Sequence, residues 1–207
     1  MNARKVVYLF FSTLLIGALS GAVVGIVIDP STYFSGGFLN FLFGLIWILG
    51  ISAAISLVAQ MGYFAYLTLH RFALSLFKTT KLWNRVQIVL IAFVFFDLVY
   101  FRYTAFAEGT ETILDYMIMP IIFLALAGAV AYRKKIETNS QAFVPAFFFM
   151  FVVTTIEWLP ALTVGTVNES KWLWIYITPL FVSNAWQLLL LHRLTKNSGP
   201  SLKKKPL

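Results

Sequence analysis

VVYLFFSTLLIGALSGAVVGIVI, residues Val6–Ile28, is the stretch that decides the fold, because it runs for 23 residues without a charge. A bilayer core about 30 Å thick is crossed by about 20 apolar residues in a helix. Backbone groups in hydrocarbon must be paired within the segment, which a helix achieves and an open strand does not. The stretch therefore predicts a membrane-spanning helix that follows the basic pair Arg4 and Lys5.

The composition extends this prediction to the whole chain. Of the 207 residues, 60% are hydrophobic and 12% are charged, whereas a soluble domain is about 25% charged. This excludes an ordinary soluble enzyme and a disordered chain. The chain has no Cys, so it has no disulfide, thiol nucleophile or cysteine-based zinc site. The net charge of +8 is spread between apolar runs instead of covering one solvated face, so nucleic acid is not predicted as a partner.

Five further apolar runs are long enough to be spans. We predict an all-α integral membrane protein with six transmembrane helices, which form a single domain over residues 1–194, followed by a basic cytoplasmic tail, 195–207. The five further runs are a stretch from near Phe38 to near Val58, then Val86–Phe101, Ile113–Tyr132, Ala142–Val164 and Trp172–Leu191.

The second run stays mostly apolar as far as Leu69, so it could hold one span or two. With one span, all Lys and Arg residues except Arg102 and Lys171 fall on the same side of the membrane. The positive-inside bias therefore predicts six spans with both termini cytoplasmic. The leftover segment Gln60–Lys81 is predicted to extend the second helix and then lie along the cytoplasmic interface. A re-entrant turn at Gly62 is the alternative to this continued helix.

This leftover segment and the residues after it supply a candidate cytoplasmic interface of aromatic and basic side chains. The two His residues each precede an Arg, and interfacial anchoring explains them better than a metal pair does. No metal site and no cofactor are predicted. The candidate interface residues are Tyr63, Tyr66, His70, Arg71, Trp83 and Arg85.

Gly17, Gly21 and Gly25 lie four residues apart in the first span and form one stripe along which another helix can approach closely. The stripe either packs within the protein's own bundle or docks a partner membrane protein. Packing is the commoner use of small residues in membranes.

Two acids, Asp97 and Glu157, fall within the outer half of predicted spans, and Arg102 and Asp115 lie near the same level. Ionised groups in hydrocarbon are costly and find partners. These four residues therefore predict either an outward-facing polar pocket, which could receive a small-molecule signal, or an ion pair that fixes helix rotation. No nucleophile elbow, HExxH motif or phosphate loop is present, so no enzyme is predicted.

Three segments carry a family resemblance: LFFSTLLIGALSGAVVG (Leu9–Gly25), QMGYFAYLTLHRF (Gln60–Phe72) and LWNRVQIVLIAFVFFDLVYFRY (Leu82–Tyr103). They resemble the KbaA family, the KinB-signalling pathway activation proteins of spore-forming bacteria. The resemblance implies a plasma-membrane activator of the sensor histidine kinase KinB, which feeds the phosphorelay that starts sporulation. It implies no catalytic residues.

Two functions follow from the sequence. In the first, the protein docks on a multispanning kinase within the bilayer and biases its switch. In the second, it is a small solute-binding or transport module, because six spans in about 200 residues is also similar to the substrate-binding components of vitamin uptake systems. An outer cavity lined by the polar residues would favour the second function.

Overall fold

The computed structural model describes residues 3–107, 109, 111–162 and 170–196, and throughout this part of the chain every regular element is helical. Residues 197–207, most of the predicted tail, lie outside it. A 3₁₀ turn, Ser140–Ala142, and a π-helical turn, Phe149–Val153, flank α6. The α-helices are α1 Ala3–Ile28, α2 Pro30–Phe34, α3 Gly37–Phe77, α4 Thr80–Phe106, α5 Ile118–Glu137, α6 Phe143–Phe148, α7 Thr154–Leu162 and α8 Ser170–Lys196.

In the described ranges, five helical segments are long and apolar enough to cross a membrane, so the chain has the build of a membrane protein. The one predicted span missing from these five is Ile113–Tyr132, which corresponds to α5. This helix begins later than predicted, at Ile118, and ends on a cation-rich turn with Lys134 and Lys135. These cations shorten its uncharged length. The five segments are Ala3–Ile28, Gly37–Phe77, Thr80–Thr104, Ser140–Pro160 and Lys171–Thr195.

The ambiguous second run is one unbroken helix. α3 has 41 residues, so at about 1.5 Å per residue it is roughly 60 Å long. It passes through Gly62 without a break, so the re-entrant alternative is wrong and the predicted extension of the helix is confirmed. α3 ends where Lys78 adopts a left-handed conformation with φ 57°. The Thr79 hydroxyl then accepts a hydrogen bond from the Leu82 amide (3.3 Å) and starts α4.

The glycine stripe of α1 lies inside the bundle, against α3 and α8. A Cβ on Gly17 or Gly21 would lie 2.6 Å from the Cβ of Ser56 or Ser52, respectively. The Ser56 hydroxyl donates to the Thr13 carbonyl (3.1 Å) at this close approach. The stripe therefore packs within the chain, which is the common role of small residues in membrane helices.

Gly25, the third member of the stripe, also faces inward, because a Cβ there would lie 3.0 Å from Cγ1 of Ile48.

Aromatic side chains fill the space between α4, α5 and the α6–α7 segment. Phe149 and Phe151 have no exposed surface, and neither does Trp158.

Side-chain bonds fix which helix ends lie together. Lys5 Nζ donates to the Leu194 carbonyl (2.7 Å), and Lys134 Nζ donates to the Leu188 carbonyl (2.6 Å). The start of α1 and the ends of α5 and α8 therefore share one end of the bundle, here called the basic end. At the opposite end, Lys171 Nζ lies 3.8 Å from a carboxylate oxygen of Asp29.

Candidate functional site

The four residues predicted to form an outer polar pocket occupy separate places. Asp97 is exposed on the outer surface of α4, whereas Arg102, one turn further on, is buried. Asp115 is exposed before α5, where the amide and hydroxyl groups of Thr112 donate to its Oδ2 (2.9 and 3.0 Å) and hold its pKa below the ordinary value. Glu157 lies on α7 and faces α3 and α8. The single pocket is not assembled, although Arg102 and Asp115 do line one cavity.

A polar cluster, defined as Thr154, Glu157, Asn184 and Gln187, lies where α7 meets α8 and α3. Asn184 Nδ2 donates to Glu157 Oε2 (2.6 Å) and to Thr154 Oγ1 (2.9 Å). Gln187 Nε2 donates to Asn184 Oδ1 (2.8 Å) and to the Ala59 carbonyl (3.0 Å). These interhelical hydrogen bonds fasten α8 to α7 and α3.

Glu157 reaches this position because Gly62 leaves room for it. A Cβ on residue 62 would lie 2.7 Å from Glu157 Cδ, which is closer than unbonded carbon atoms approach. Glu157 Oε1 is buried and has no hydrogen-bond partner in the described residues. The sequence alone suggests only a re-entrant turn at Gly62. The signal that could have revealed this contact is a glycine inside an otherwise strong helix. Such a glycine lowers helix stability by about 1 kcal/mol relative to Ala, so it usually serves close packing.

The π-helical turn Phe149–Val153 precedes the polar cluster directly. A π turn places one extra residue in a helical turn, so the side chains after it are rotated about the helix axis. Such turns occur often at functional sites. The Thr155 hydroxyl donates to the Phe151 carbonyl (2.7 Å) within it. The turn thereby sets the face on which Thr154 and Glu157 meet α8.

Half of the predicted cytoplasmic interface is a packing surface. Tyr63 and Tyr66 are 1% and 5% exposed, and both rings pack on Phe149. The Tyr66 hydroxyl donates to the Pro145 carbonyl (2.9 Å). Trp83 is 5% exposed. These three aromatic side chains join the first part of α4 and the second half of α3 to α6, so they do not offer a free surface.

The remaining interface residues differ among themselves. His70 is half-buried, and its Nδ1 accepts a hydrogen bond from Trp83 Nε1 (3.0 Å). Arg71 and Arg85 are exposed. Of the six predicted interface residues, only these two arginines present a fully exposed side chain.

An ion-pair network closes the basic end between α5 and α8. Arg193 Nη2 and Arg133 Nε donate to Glu137 Oε1 at 2.6 and 2.8 Å. The hydrogen bonds from Arg193 and then from Arg133 lower the pKa of Glu137 to about 2. This network adds a third link between helix ends at the basic end.

The outer surface of α4 carries a set of exposed side chains, here called the Asp97 face: Phe93, Phe96, Asp97 and Tyr100. The two Phe side chains are both 60% exposed, and the Phe96 and Tyr100 rings stack with centroids 5.5 Å apart. Asp97 has no ion-pair or hydrogen-bond partner in the described part of the chain. The inward face of the same helix consists of Trp83, Gln87, Ile91, Leu98 and Arg102.

Arg102 is 8% exposed and borders a cavity of about 260 Å³ between α4, α5 and α8. Its Nη1 donates to the Met119 thioether sulfur (3.6 Å), and its Cζ lies 5.6 Å from the centre of the Tyr116 ring. Its Nε is buried without a hydrogen-bond partner in the described residues. The other lining residues are Asp115, Ile118, Met119, Ile122, Leu173 and Trp174.

These features define a class of protein, a helical membrane protein whose polar groups mostly serve helix packing. Within the described residues, no three His, Asp or Glu side chains are grouped as metal ligands. The chain belongs to the KbaA family, whose profile, described as KinB-signalling pathway activation in sporulation, matches residues 17–194.

A relative supports this membership. The chain is 39% identical over 196 residues to the KinB-signaling pathway activation protein of Bacillus subtilis (strain 168), a match that covers 92% of this chain and 97% of the relative. No solved structure matches the chain. The resemblance read from Gln60–Phe72 and Leu82–Tyr103 is confirmed, and it links the chain to KinB signalling in sporulation.

Proposed function

We propose that the protein is a non-enzymatic membrane activator of a KinB-type sensor histidine kinase and that it acts by contact within the lipid bilayer. The family description and the relative's name support the pathway, and the long apolar helices support the location. An activator of this kind binds one state of the kinase more tightly than the other, because a partner shifts a two-state equilibrium only by its difference in affinity.

The topology that we propose has six spans with both termini in the cytoplasm of a bacterial cell. α5 is the additional span, since its uncharged part, residues 118–132, is roughly 22 Å long and the long Arg and Lys side chains that follow can extend to the lipid interface. The cation-rich ends of α1, α5 and α8 lie together, as the positive-inside bias requires. The basic end then faces the cytoplasm, where the catalytic part of a sensor kinase works.

The single observation that carries the proposed contact is the position of Asp97. It is exposed on the outer surface of the segment Thr80–Thr104, so in a bilayer it faces hydrocarbon unless another chain covers it. An acidic side chain costs about 2.5–3.5 kcal/mol at the centre of a spanning helix on insertion scales, and less in the outer half, where Asp97 lies. A partner helix that brings a cationic or hydrogen-bond-donating side chain to this depth removes that cost.

A second copy of this chain fits the Asp97 face less well than a kinase helix does. Symmetric pairing through α4 would bring two carboxylates together. The nearest cation on the same helix, Arg102, faces inward and cannot neutralise them. The stacked rings of Phe96 and Tyr100 supply apolar area beside Asp97, and aromatic residues are enriched at the centres of protein interfaces.

The test compares Asp97→Leu with the matched variant Trp47→Leu, which changes a 70% exposed side chain on α3. Each full-length variant is produced together with the KinB-type kinase in membranes, and co-purification and kinase autophosphorylation are measured. We expect Asp97→Leu to reduce both by about tenfold, which corresponds to the loss of one hydrogen bond to a charged group. Trp47→Leu should leave both unchanged.

Thermal stability separates a lost contact from a lost fold. Asp97→Leu should retain or raise the unfolding temperature of the purified protein, because it removes an unpaired acid from an apolar surface, and Asp97→Glu should retain kinase association. A photo-crosslinking residue at position 96 should capture the kinase, and one at position 47 should not. Full association by Asp97→Leu, or capture at position 47 alone, would refute the Asp97 face as the contact.

A further inference from the structure

The cavity beside Arg102 lies outside the proposed kinase contact, since Arg102 faces inward and Asp97 faces outward on the same helix. We propose that this cavity, between α4, α5 and α8, binds a small organic carboxylate whose charged group pairs with Arg102. The cavity lies at the end of the bundle opposite the basic end, where Lys171 meets Asp29.

The first argument is the isolation of the Arg102 charge. A buried guanidinium group is normally paired with an acid and hydrogen-bonded, because an isolated buried charge is strongly unfavourable. Arg102 is 8% exposed, yet in the described residues its contacts are a thioether sulfur and the face of a Tyr ring. A thioether is a weak acceptor. The planar guanidinium group is shaped for two parallel bonds to a carboxylate.

The second argument is that the two acids described just before α5, Asp115 and Glu111, accept hydrogen bonds from their own turn. Asp115 lines the same cavity, but its carboxylate accepts the amide and hydroxyl hydrogen bonds of Thr112. Glu111 Oε2 accepts the hydroxyl hydrogen bond of Tyr116. Both acids therefore accept hydrogen bonds in the turn before α5, and no ion pair joins Asp115 to Arg102 in the described residues.

The third argument is the size and lining of the cavity, which narrow the class of ligand. Its volume of about 260 Å³ is just below the range of roughly 300–1,000 Å³ found for ligand pockets, so the ligand is small. The walls are about as polar as they are apolar, and one indole ring, Trp174, is among them. Among the described lining residues Arg102 is the one cation, so it can neutralise a single negative charge, whereas the Asp115 charge disfavours a dianion such as phosphate. A carboxylate with a short apolar or aromatic body fits these walls.

The test uses benzoate as the probe and its uncharged analogue benzamide as the control, with the full chain in lipid nanodiscs. Binding is followed by tryptophan fluorescence and by the shift in the unfolding temperature. We expect a saturable response to benzoate and none to benzamide. Arg102→Met should weaken benzoate binding by at least about tenfold, the usual effect of losing a charge-assisted hydrogen bond, whereas Arg102→Lys should retain part of it.

Two readouts distinguish a binding site from a structural arginine. Arg102→Met should match or exceed the unfolding temperature of the natural chain, because it removes an unpaired buried charge. Asp115→Asn, a change at an exposed position, should tighten benzoate binding about threefold by removing a like charge from the cavity. Equal responses to benzoate and benzamide, no response to benzoate, or unchanged benzoate binding by both Arg102→Met and Asp115→Asn would each overturn the proposal.

Discussion

Replacing Gly62 by Ala tests the packing around Glu157 directly. The new Cβ would lie 2.7 Å from Glu157 Cδ, so the carboxyl group has to move, which disturbs the hydrogen bond that it accepts from Asn184 at 2.6 Å. Losing one buried hydrogen bond costs about 1–3 kcal/mol, and forced repacking adds about 1 kcal/mol. Ala in place of Gly in a helix returns about 1 kcal/mol. We expect Gly62→Ala to lower the free energy of unfolding by about 1–3 kcal/mol.

The decisive comparison repeats the change in a chain that already carries Glu157→Ala. The side chain that obstructs the new methyl group is then absent, so Gly62→Ala should stabilise this background by up to about 1 kcal/mol through helix propensity. The effect of the same substitution thus reverses its sign. The coupling between the two positions should amount to about 2–4 kcal/mol in a double-mutant cycle, within or just above the usual range for residues in contact.

The assay is reversible unfolding in mixed micelles with increasing sodium dodecyl sulfate, followed by circular dichroism. Gly50→Ala is the matched control, because it lies on the same helix and a Cβ there meets nothing within 4 Å. It should be neutral or slightly stabilising in both backgrounds. If Gly62→Ala destabilises both backgrounds equally, Glu157 is not the obstructing group and the argument fails.

Two further predictions concern the helix contacts. Gly21→Ala places a Cβ 2.6 Å from that of Ser52, so the free energy of unfolding should fall by about 1–3 kcal/mol in the same micelle titration; an unchanged value contradicts the α1–α3 packing. The pKa of Glu137 is lowered from 4.5 to about 2, so its ion pairs stabilise the fold above about pH 4.5 and cease to do so as the pH falls towards 2. Between about pH 6 and pH 3, the unfolding temperature of the natural chain should therefore fall further than that of Glu137→Gln, and equal falls count against the network.

Hydropathy alone predicted where most helices lie, because an apolar run of about 20 residues has few other uses. It did not predict where α3 ends. The bilayer sets the length of an apolar run, whereas the end of a helix is set by local conformation, here the left-handed Lys78. The late start of α5 has a similar cause, since turns bonded by Thr112 and Asp115 occupy the residues before Ile118.

The side-chain partners were harder to predict than the helices. Asp97 was placed in a pocket because an acid in a span was assumed to face the bundle, which is the usual preference. The buried face of α4 follows the spacing of Gln87, Ile91, Leu98 and Arg102. Each residue advances a helix by about 100°, so position 97, next to Leu98, points about 100° away from the buried face. The pairing of Glu157 with Asn184 could not be read from the sequence, because several polar residues on other spans were equally suitable.

The uninterrupted length of α3 limits how this protein can move. A helix of 41 residues with no break at Gly62 has no kink of the kind that acts as a hinge, so tilting, rolling or sliding at one end is passed to the other. A displacement near Gly37 is therefore transmitted to Phe77. The helix is about twice as long as the hydrocarbon layer of the bilayer is thick. A movement of α3 at one face of the bilayer thus reaches the other face through this single helix.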